Sequence, residues 1–345
     1  MEAILFVGHG SKDPEGNQEV IQFIDTLAPQ IDVPIIETCF LEFEQPTVTQ
    51  GLQTCIQKGA TRIVVIPLML FAAGHAKLHI PHEIDEMKEL YPHVTFTYGK
   101  PVGIHPNMVE LLGERFQEAV HSGKHDALHV DQQTAVLLVG RGSSDIDANS
   151  DIYKMSRLFW EKHKSTIVET AFMGVTSPTV EEGIDRCIRL GAKQVVILPY
   201  LLFTGVLMKR LQTFTQRLGQ QYSEIGFVLG HYFGAHRYLQ QVVLERVKEA
   251  FDGEVKMSCD LCVYRIEAME HHHHHHHHHD HDHDHDHHHG HAHEHEHDHH
   301  HDHGHLHDQE NGHAHHHDHD HRHGHSHAHD HTHQPNVKVP QGGTR

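Results

Sequence analysis

The stretch Ala3-Ile4-Leu5-Phe6-Val7-Gly8-His9-Gly10-Ser11 runs an apolar segment straight into a glycine-bounded turn, and the chain contains it twice. The second copy, Ala135-Val136-Leu137-Leu138-Val139-Gly140-Arg141-Gly142-Ser143, lies 132 positions further on. A short apolar run stopped by Gly reads as a buried parallel strand ending in a loop. In open α/β sheets, ligands bind at the C-terminal ends of such strands. The same offset aligns Asn17 with Asn149, Glu37-Thr38 with Glu169-Thr170, and Pro46-Thr47-Val48 with Pro178-Thr179-Val180. It also aligns Gly59-Ala60 with Gly191-Ala192 and Pro67 with Pro199, while Gly103-Ile104-His105 meets Gly234-Ala235-His236 at an offset of 131. The ordered part is therefore a tandem duplication, and each half is a control for the other.

The control is informative where the halves part. His9 is answered by Arg141, Glu42 by Gly174 and His75 by Leu207. Each of the three lies at or just beyond a predicted strand end of the first half, and the scaffold around them recurs. Two imidazoles and a carboxylate are suitable ligands for a divalent first-row metal. One half is thus expected to carry a metal site, and the other to keep the fold without it. His105 recurs as His236 in the half lacking the site, which favours a structural role near a helix start. His79 and His82 follow His75 at four and seven positions and read as a solvated helix face. Cys39 and Cys55 fall in a predicted strand and helix and read as core.

In the first half, strands are predicted at Ala3–Val7, Ile35–Phe40, Ile63–Ile66 and Val94–Tyr98. Helical spacing covers Val20–Leu27, Glu83–Leu90 and Pro106–Ala119, and Pro46 is placed as the first residue of a helix through Ile56. Strands alternating with helices imply parallel sheets. The expected fold is α/β: two tandem lobes, residues 1–120 and 134–250, each a parallel sheet of about four strands flanked by helices. A polar linker covers 121–133, and strand-end loops line a cleft between the lobes.

Composition changes sharply after residue 270. Residues 271–345 hold 37 of the 49 His with 13 acidic and 3 basic side chains, leaving a net charge of −10 on residues 1–270. A mildly acidic body argues against a nucleic-acid partner held by phosphate neutralisation. No run of 18 apolar residues is present, so no membrane span is expected. Five scattered cysteines fit a reducing compartment, and no basic or cleavable apolar segment precedes the first strand, so a cytoplasmic location is expected. The tail has no apolar face to bury and is expected to be disordered without metal. A nine-His run opens it at His271 and could pass for a purification tag, but the alternation from His281-Asp282-His283-Asp284 onward reads as a metal-binding tract. Such a tract suits Co²⁺, Ni²⁺, Zn²⁺ and Cu²⁺ without selecting among them. Between body and tail, residues 251–270 contain Met257-x-Cys259-x-x-Cys262. Two thiolates cannot complete a four-ligand cluster, so Cys259 and Cys262 need a second subunit or tail histidines; a zinc site or a redox pair is the alternative.

Taken together, Gly8-His9-Gly10-Ser11, Glu42 ahead of Pro46-Thr47, the Pro67-Leu68…Gly74-His75 segment, the MxCxxC motif and the His-rich tail resemble the ATP-independent tetrapyrrole chelatases, in particular the long, duplicated, His-rich sirohydrochlorin cobaltochelatases. The resemblance covers essentially the whole chain. It implies two chelatase-like lobes, His9 and His75 as the metal-binding pair with Glu42 as carboxylate, and all three as catalytic. It implies Co²⁺ as substrate metal, a tetrapyrrole edged with carboxylates, no ATP, and an iron–sulfur centre at Cys259 and Cys262. Arg141, whose planar fork can pair with a carboxylate in two places, is the leading substrate-binding candidate, with Ser11 and Ser143 as weaker donors. Iron insertion into the same macrocycle is the near alternative. Metal storage or metal delivery, with the body as a docking domain, is the distant one, and it leaves the asymmetry between the halves without a reason. A homo-oligomeric assembly is a further expectation.

Overall fold

The computed structural model describes residues 1–122, 133–164 and 167–253. Each half forms a four-stranded parallel sheet. Lobe 1 has β1 (Glu2–Gly8), β2 (Ile35–Phe40), β3 (Arg62–Leu68) and β4 (Thr95–Tyr98) in the order β2-β1-β3-β4. Lobe 2 has β5 (Thr134–Gly140), β6 (Ile167–Phe172), β7 (Gln194–Pro199) and β8 (Gly226–Leu229) in the order β6-β5-β7-β8. Ile4 stands between Ile36 and Val64, and Val136 stands between Val168 and Val196, so the two sheets share one register. The β-branched and apolar runs of β1, β3, β5 and β7 are buried on both faces, as central parallel strands require.

The helices follow the expected alternation: α1 (Pro14–Leu27), α2 (Val48–Gln57), α3 (Ile80–Leu90), α4 (Pro106–Ser122), α5 (Ile146–His163), α6 (Val180–Arg189), α7 (Val206–Gln221) and α8 (Arg237–Asp252). Pro46 does not open α2. Thr47 is the N-cap, its hydroxyl accepting from Gln50 N while the Gln50 side chain accepts from Thr47 N, and Thr179 and Glu182 repeat this capping box in lobe 2. The reciprocal cap fixes the helix start after the threonine, two residues beyond the proline.

The lobes do more than face one another. Helix α4 of lobe 1 packs on β7 and β8 of lobe 2, and α8 of lobe 2 packs on β3 and β4 of lobe 1. Gly99 leaves the space that Ala250 approaches, and Gly230 does the same for Ala119. One core cluster consequently runs through both lobes, with Phe6, Phe23 and Phe116 joined to Phe159, Val242 and Phe233. The rings of Phe116 and Phe159 meet edge to face at 5.8 Å. Smaller clusters lie under α2 and α3 on one outer side and under α6 and α7 on the other. Cys39, Cys55 and Cys187 are buried thiols of these layers. Cys259, Cys262 and residues 271–345 lie outside the described residues, as does most of the predicted linker.

Candidate functional site

The strand order reverses between β1 and β3, and the crevice at their C-terminal ends is where a parallel sheet offers a ligand site. His9 follows β1 directly. Gly10 adopts φ +84, and a Cβ there would sit 1.7 Å from the carbonyl oxygen of Glu42, so only glycine fits. Leu41 N donates to Gly8 O and Glu42 N to His9 O, both at 3.0 Å, which extends the β1–β2 ladder past the strand ends. Half-buried Glu42 is thereby held beside His9. Ser11 N donates to Asn17 Oδ1 at 2.8 Å, and Asn17 Nδ2 returns a bond to Ser11 O at 2.9 Å. Ser143 and Asn149 make the same pair in lobe 2, which accounts for the recurrence of these asparagines. The Ser11 and Ser143 hydroxyls accept from Asp13 N and Asp145 N, each at 3.0 Å, leaving an O–H hydrogen for donation.

The imidazole of His9 lies with Nδ1 3.2 Å from Gly10 O, and Nε2 receives a bond of 2.6 Å from Arg141 Nη1. An Nδ1–H donor and an Nε2 acceptor define one neutral tautomer, with the Nε2 lone pair aimed across the cleft. His9 and Arg141 occupy equivalent positions of the duplication, so their contact marks the pseudo-two-fold axis relating the lobes.

His75 opens a π-helical turn, His75–His79, that leads into α3. Lobe 2 has no such turn: α7 runs as plain α-helix from Val206, and Leu207 lies in its first turn. Single π-turns cluster at functional sites, and here the departure from the duplicate falls on the residue that also changes type. The side chain of His75 is not among the described parts of the structure, but its neighbours Gly74 and Ala76 line the cleft. His79 lines it too and is exposed, as is His82, which lies 3.4 Å from Glu86, so both stand on the solvated face expected of them. Among the described residues no group of three His, Cys, Asp or Glu side chains is assembled as a metal cluster, and that set does not include the His75 side chain.

Two cavities meet at His9 and Arg141. The larger, about 540 Å³, is mostly apolar and is lined by Leu68, Met69, Phe71, Ser143, Tyr200 and others. The smaller, about 340 Å³, lies between the His9–Lys12 loop, Phe43 and residues 201–208. Phe71 and Tyr200 stack on one another at 5.3 Å, so the half-exposed Phe71 ring is backed by the buried Tyr200. The Tyr200 hydroxyl is buried with no hydrogen-bond partner, and burial pushes its ionisation far up, so it stays a neutral donor. Phe43 and Val175, equivalent residues in the left-handed backbone region at φ 63 and φ 68, are exposed at the two cavity mouths.

The sequence reading missed the ties between the lobes, several of which are reciprocal. Lys77 binds Asp145 and Asp147 at 2.7 and 2.9 Å, and its equivalent Lys209 binds Asp13 and Glu15 at 2.6 and 2.7 Å. Hydrogen bonds from these ammonium groups hold the carboxyls of Asp13 and Asp145 below their usual range. His105 meets Glu245 at 2.8 Å and His236 meets Glu114 at 2.9 Å. Both histidines also accept a backbone N–H two residues on, from Asn107 and Tyr238, at helix starts as expected. Burial is the main cause of the lowered His236 pKa. Arg115 reaches Phe233 O and Arg246 reaches Val102 O, at 2.7 and 2.8 Å. The signal was present in the repeat, because Asp13/Asp145, Lys77/Lys209, Glu114/Glu245 and Arg115/Arg246 recur at the two offsets.

A duplicated pair of parallel α/β sheets with one imidazole-bearing strand end in a shared cleft defines a two-lobed α/β protein with a single asymmetric site. The CbiX family model matches residues 3–119 and again 135–250, and the chain belongs to that family. A sirohydrochlorin cobaltochelatase of Priestia megaterium is 56% identical over 272 residues, 79% of this chain and 87% of that protein. A sirohydrochlorin ferrochelatase of the same organism is 40% identical over 248 residues, covering 72% of this chain and 90% of the relative. Among solved structures, the sirohydrochlorin chelatase SirB from Bacillus subtilis subspecies spizizenii in complex with cobalt is 31% identical, with a TM-score of 0.61 over 73% of this chain and 96% of that one.

Proposed function

We propose that the protein inserts Co²⁺ into sirohydrochlorin without ATP, as a step toward cobalamin, acting in the cytoplasm. The observation that carries this reading is the asymmetry of the duplication. His9 and Glu42 follow β1 and β2 of one lobe and His75 opens its turn into α3, and the other lobe keeps the register and the glycine loop but has Arg141, Gly174 and Leu207. The 56% identity to a protein named sirohydrochlorin cobaltochelatase supports the choice of substrate and metal.

In this reading His9 Nε2, His75 and Glu42 receive the substrate metal. Imidazole binds borderline divalent ions while leaving coordination positions open, so macrocycle nitrogens can replace the remaining ligands one at a time. Two pyrrole N–H protons must leave as the metal enters. A carboxylate beside the metal offsets its charge and can accept one of them; an imidazole released from the metal, with a pKa of roughly 6.5, can accept the other near neutral pH. Phe71, backed by Tyr200, packs against the macrocycle, and Arg141, Ser11 and Ser143 bind its peripheral carboxylates. The tail serves as a store of divalent metal, and Cys259 with Cys262 contributes to an iron–sulfur centre. Iron insertion is the second reading, favoured by the 40% identity to a ferrochelatase.

The test mixes purified protein with sirohydrochlorin and Co²⁺ or Fe²⁺, without ATP, and follows the absorbance change of the macrocycle. Faster insertion of cobalt supports the proposal, faster insertion of iron supports the second reading, and no insertion of either overturns both. Removing residues 271–345 should leave the rate unchanged at saturating cobalt and lower it only when metal is scarce.

A further inference from the structure

Arg141 occupies the position that a metal at His9 would need. Its guanidinium lies 2.6 Å from His9 Nε2, and the Nδ1 contact to Gly10 O directs this same nitrogen's lone pair into the cleft. A cation already held there excludes a second one, both by occupying the lone pair and by charge. The macrocycle must also present its nitrogens at this point, so the contact must break during turnover. The pair further stands between the 540 Å³ and 340 Å³ cavities, both of which are lined by His9 and Arg141. Arg141 is exposed, so swinging away unpacks no core.

We infer that Arg141 is a positioning residue that couples macrocycle binding to metal access. It sits on His9, and a carboxylate of the incoming tetrapyrrole draws it off, baring Nε2 and joining the two cavities. A carboxylate is the natural competitor, since a guanidinium pairs with it through two parallel hydrogen bonds but with an imidazole nitrogen through one. The position lies on the pseudo-two-fold axis, which explains why the second copy exchanges histidine for arginine rather than for a small neutral residue. The inference rests on the proposed chelatase activity and on Arg141 as a carboxylate ligand.

The experiment measures initial insertion rates over a grid of free Co²⁺, fixed with a metal buffer so that tail-bound metal does not change it, and of sirohydrochlorin. The wild-type full chain should show a KM for Co²⁺ that falls about tenfold as macrocycle rises, because the competent state becomes populated. Arg141→Ala should show the low KM for Co²⁺ at every macrocycle concentration, together with a raised KM for the macrocycle. A purely structural role would not move the two constants in opposite directions. If the dependence of one KM on the other substrate survives in Arg141→Ala, the coupling role is overturned, and a raised macrocycle KM would then leave carboxylate binding standing by itself. Absence of insertion by the wild-type protein would overturn the functional reading and the inference together.

Discussion

Gly10 shows how little freedom the strand-end loops have. Its φ of +84 and the 1.7 Å approach of Glu42 O to any added Cβ mean that Gly10→Ala must push the β2 loop away from His9. The substitution should destabilise the protein by about 1–3 kcal/mol, the cost of a forced left-handed residue, and should move Glu42 as it does so. Chemical denaturation and the insertion rate check this; loss of rate with unchanged stability would contradict it. Gly-His-Gly-Ser was legible in the sequence because the second copy keeps the glycines and the serine and changes only the histidine, to Arg141. The His9–Arg141 contact was not. Aligning the halves set these residues at equivalent positions, and only the axis between the lobes made equivalent positions touch. Tyr200 was equally hidden, because its burial beside Phe71 depends on how the two lobes meet.

Among the elements, the reciprocal ties decide how the lobes are held. Arg246 is almost fully buried, donates to Val102 O and pairs with Glu249, which is 11% exposed, whereas its equivalent Arg115 pairs with half-exposed Glu118. Arg246→Ala should therefore cost about 3–5 kcal/mol, the loss expected when a buried charge is stripped of its partner, and Arg115→Ala clearly less. Equal losses in urea titrations would contradict the assigned asymmetry. The Lys77 and Lys209 ties have a defined pH window. Asp13 and Asp145 lie below the ordinary 3.8 in the folded state, so their contribution is present above that pH and is lost as pH falls through the lowered values. Lys77 and Lys209 lie above 10.5, so theirs is lost only as pH rises through the raised values. In Tm measurements the Lys77→Ala/Lys209→Ala double variant should lose the same increment from pH 5 to 9; an increment that changes across this range would contradict the assignment. Strand and helix positions were readable from apolar runs and breakers. The start of α2 was misplaced by two residues because a threonine–glutamine cap outweighs the preference of proline for the first turn.

At the scale of the whole molecule, the exchange of α4 and α8 between sheets makes the duplication a single folding unit. A chain ending at residue 122 would leave β3 and β4 without their covering helix and α4 without its sheet. Expressed alone, lobe 1 should not remain a soluble monomer, whereas co-expressed residues 1–122 and 133–253 should co-purify one to one; a monomeric, folded lobe 1 in sedimentation would contradict this. The two-lobed α/β class was readable from the repeat, but the swap was not, since apolar periodicity says that a helix face is buried and not against which sheet. The most direct test of the site assignment is the rate of metal insertion by His9→Ala at saturating sirohydrochlorin and Co²⁺, beside its circular dichroism spectrum. The expected result is a fall of about two orders of magnitude or more with the fold intact; a rate near that of the unmodified protein would contradict it and remove His9 from the chemistry.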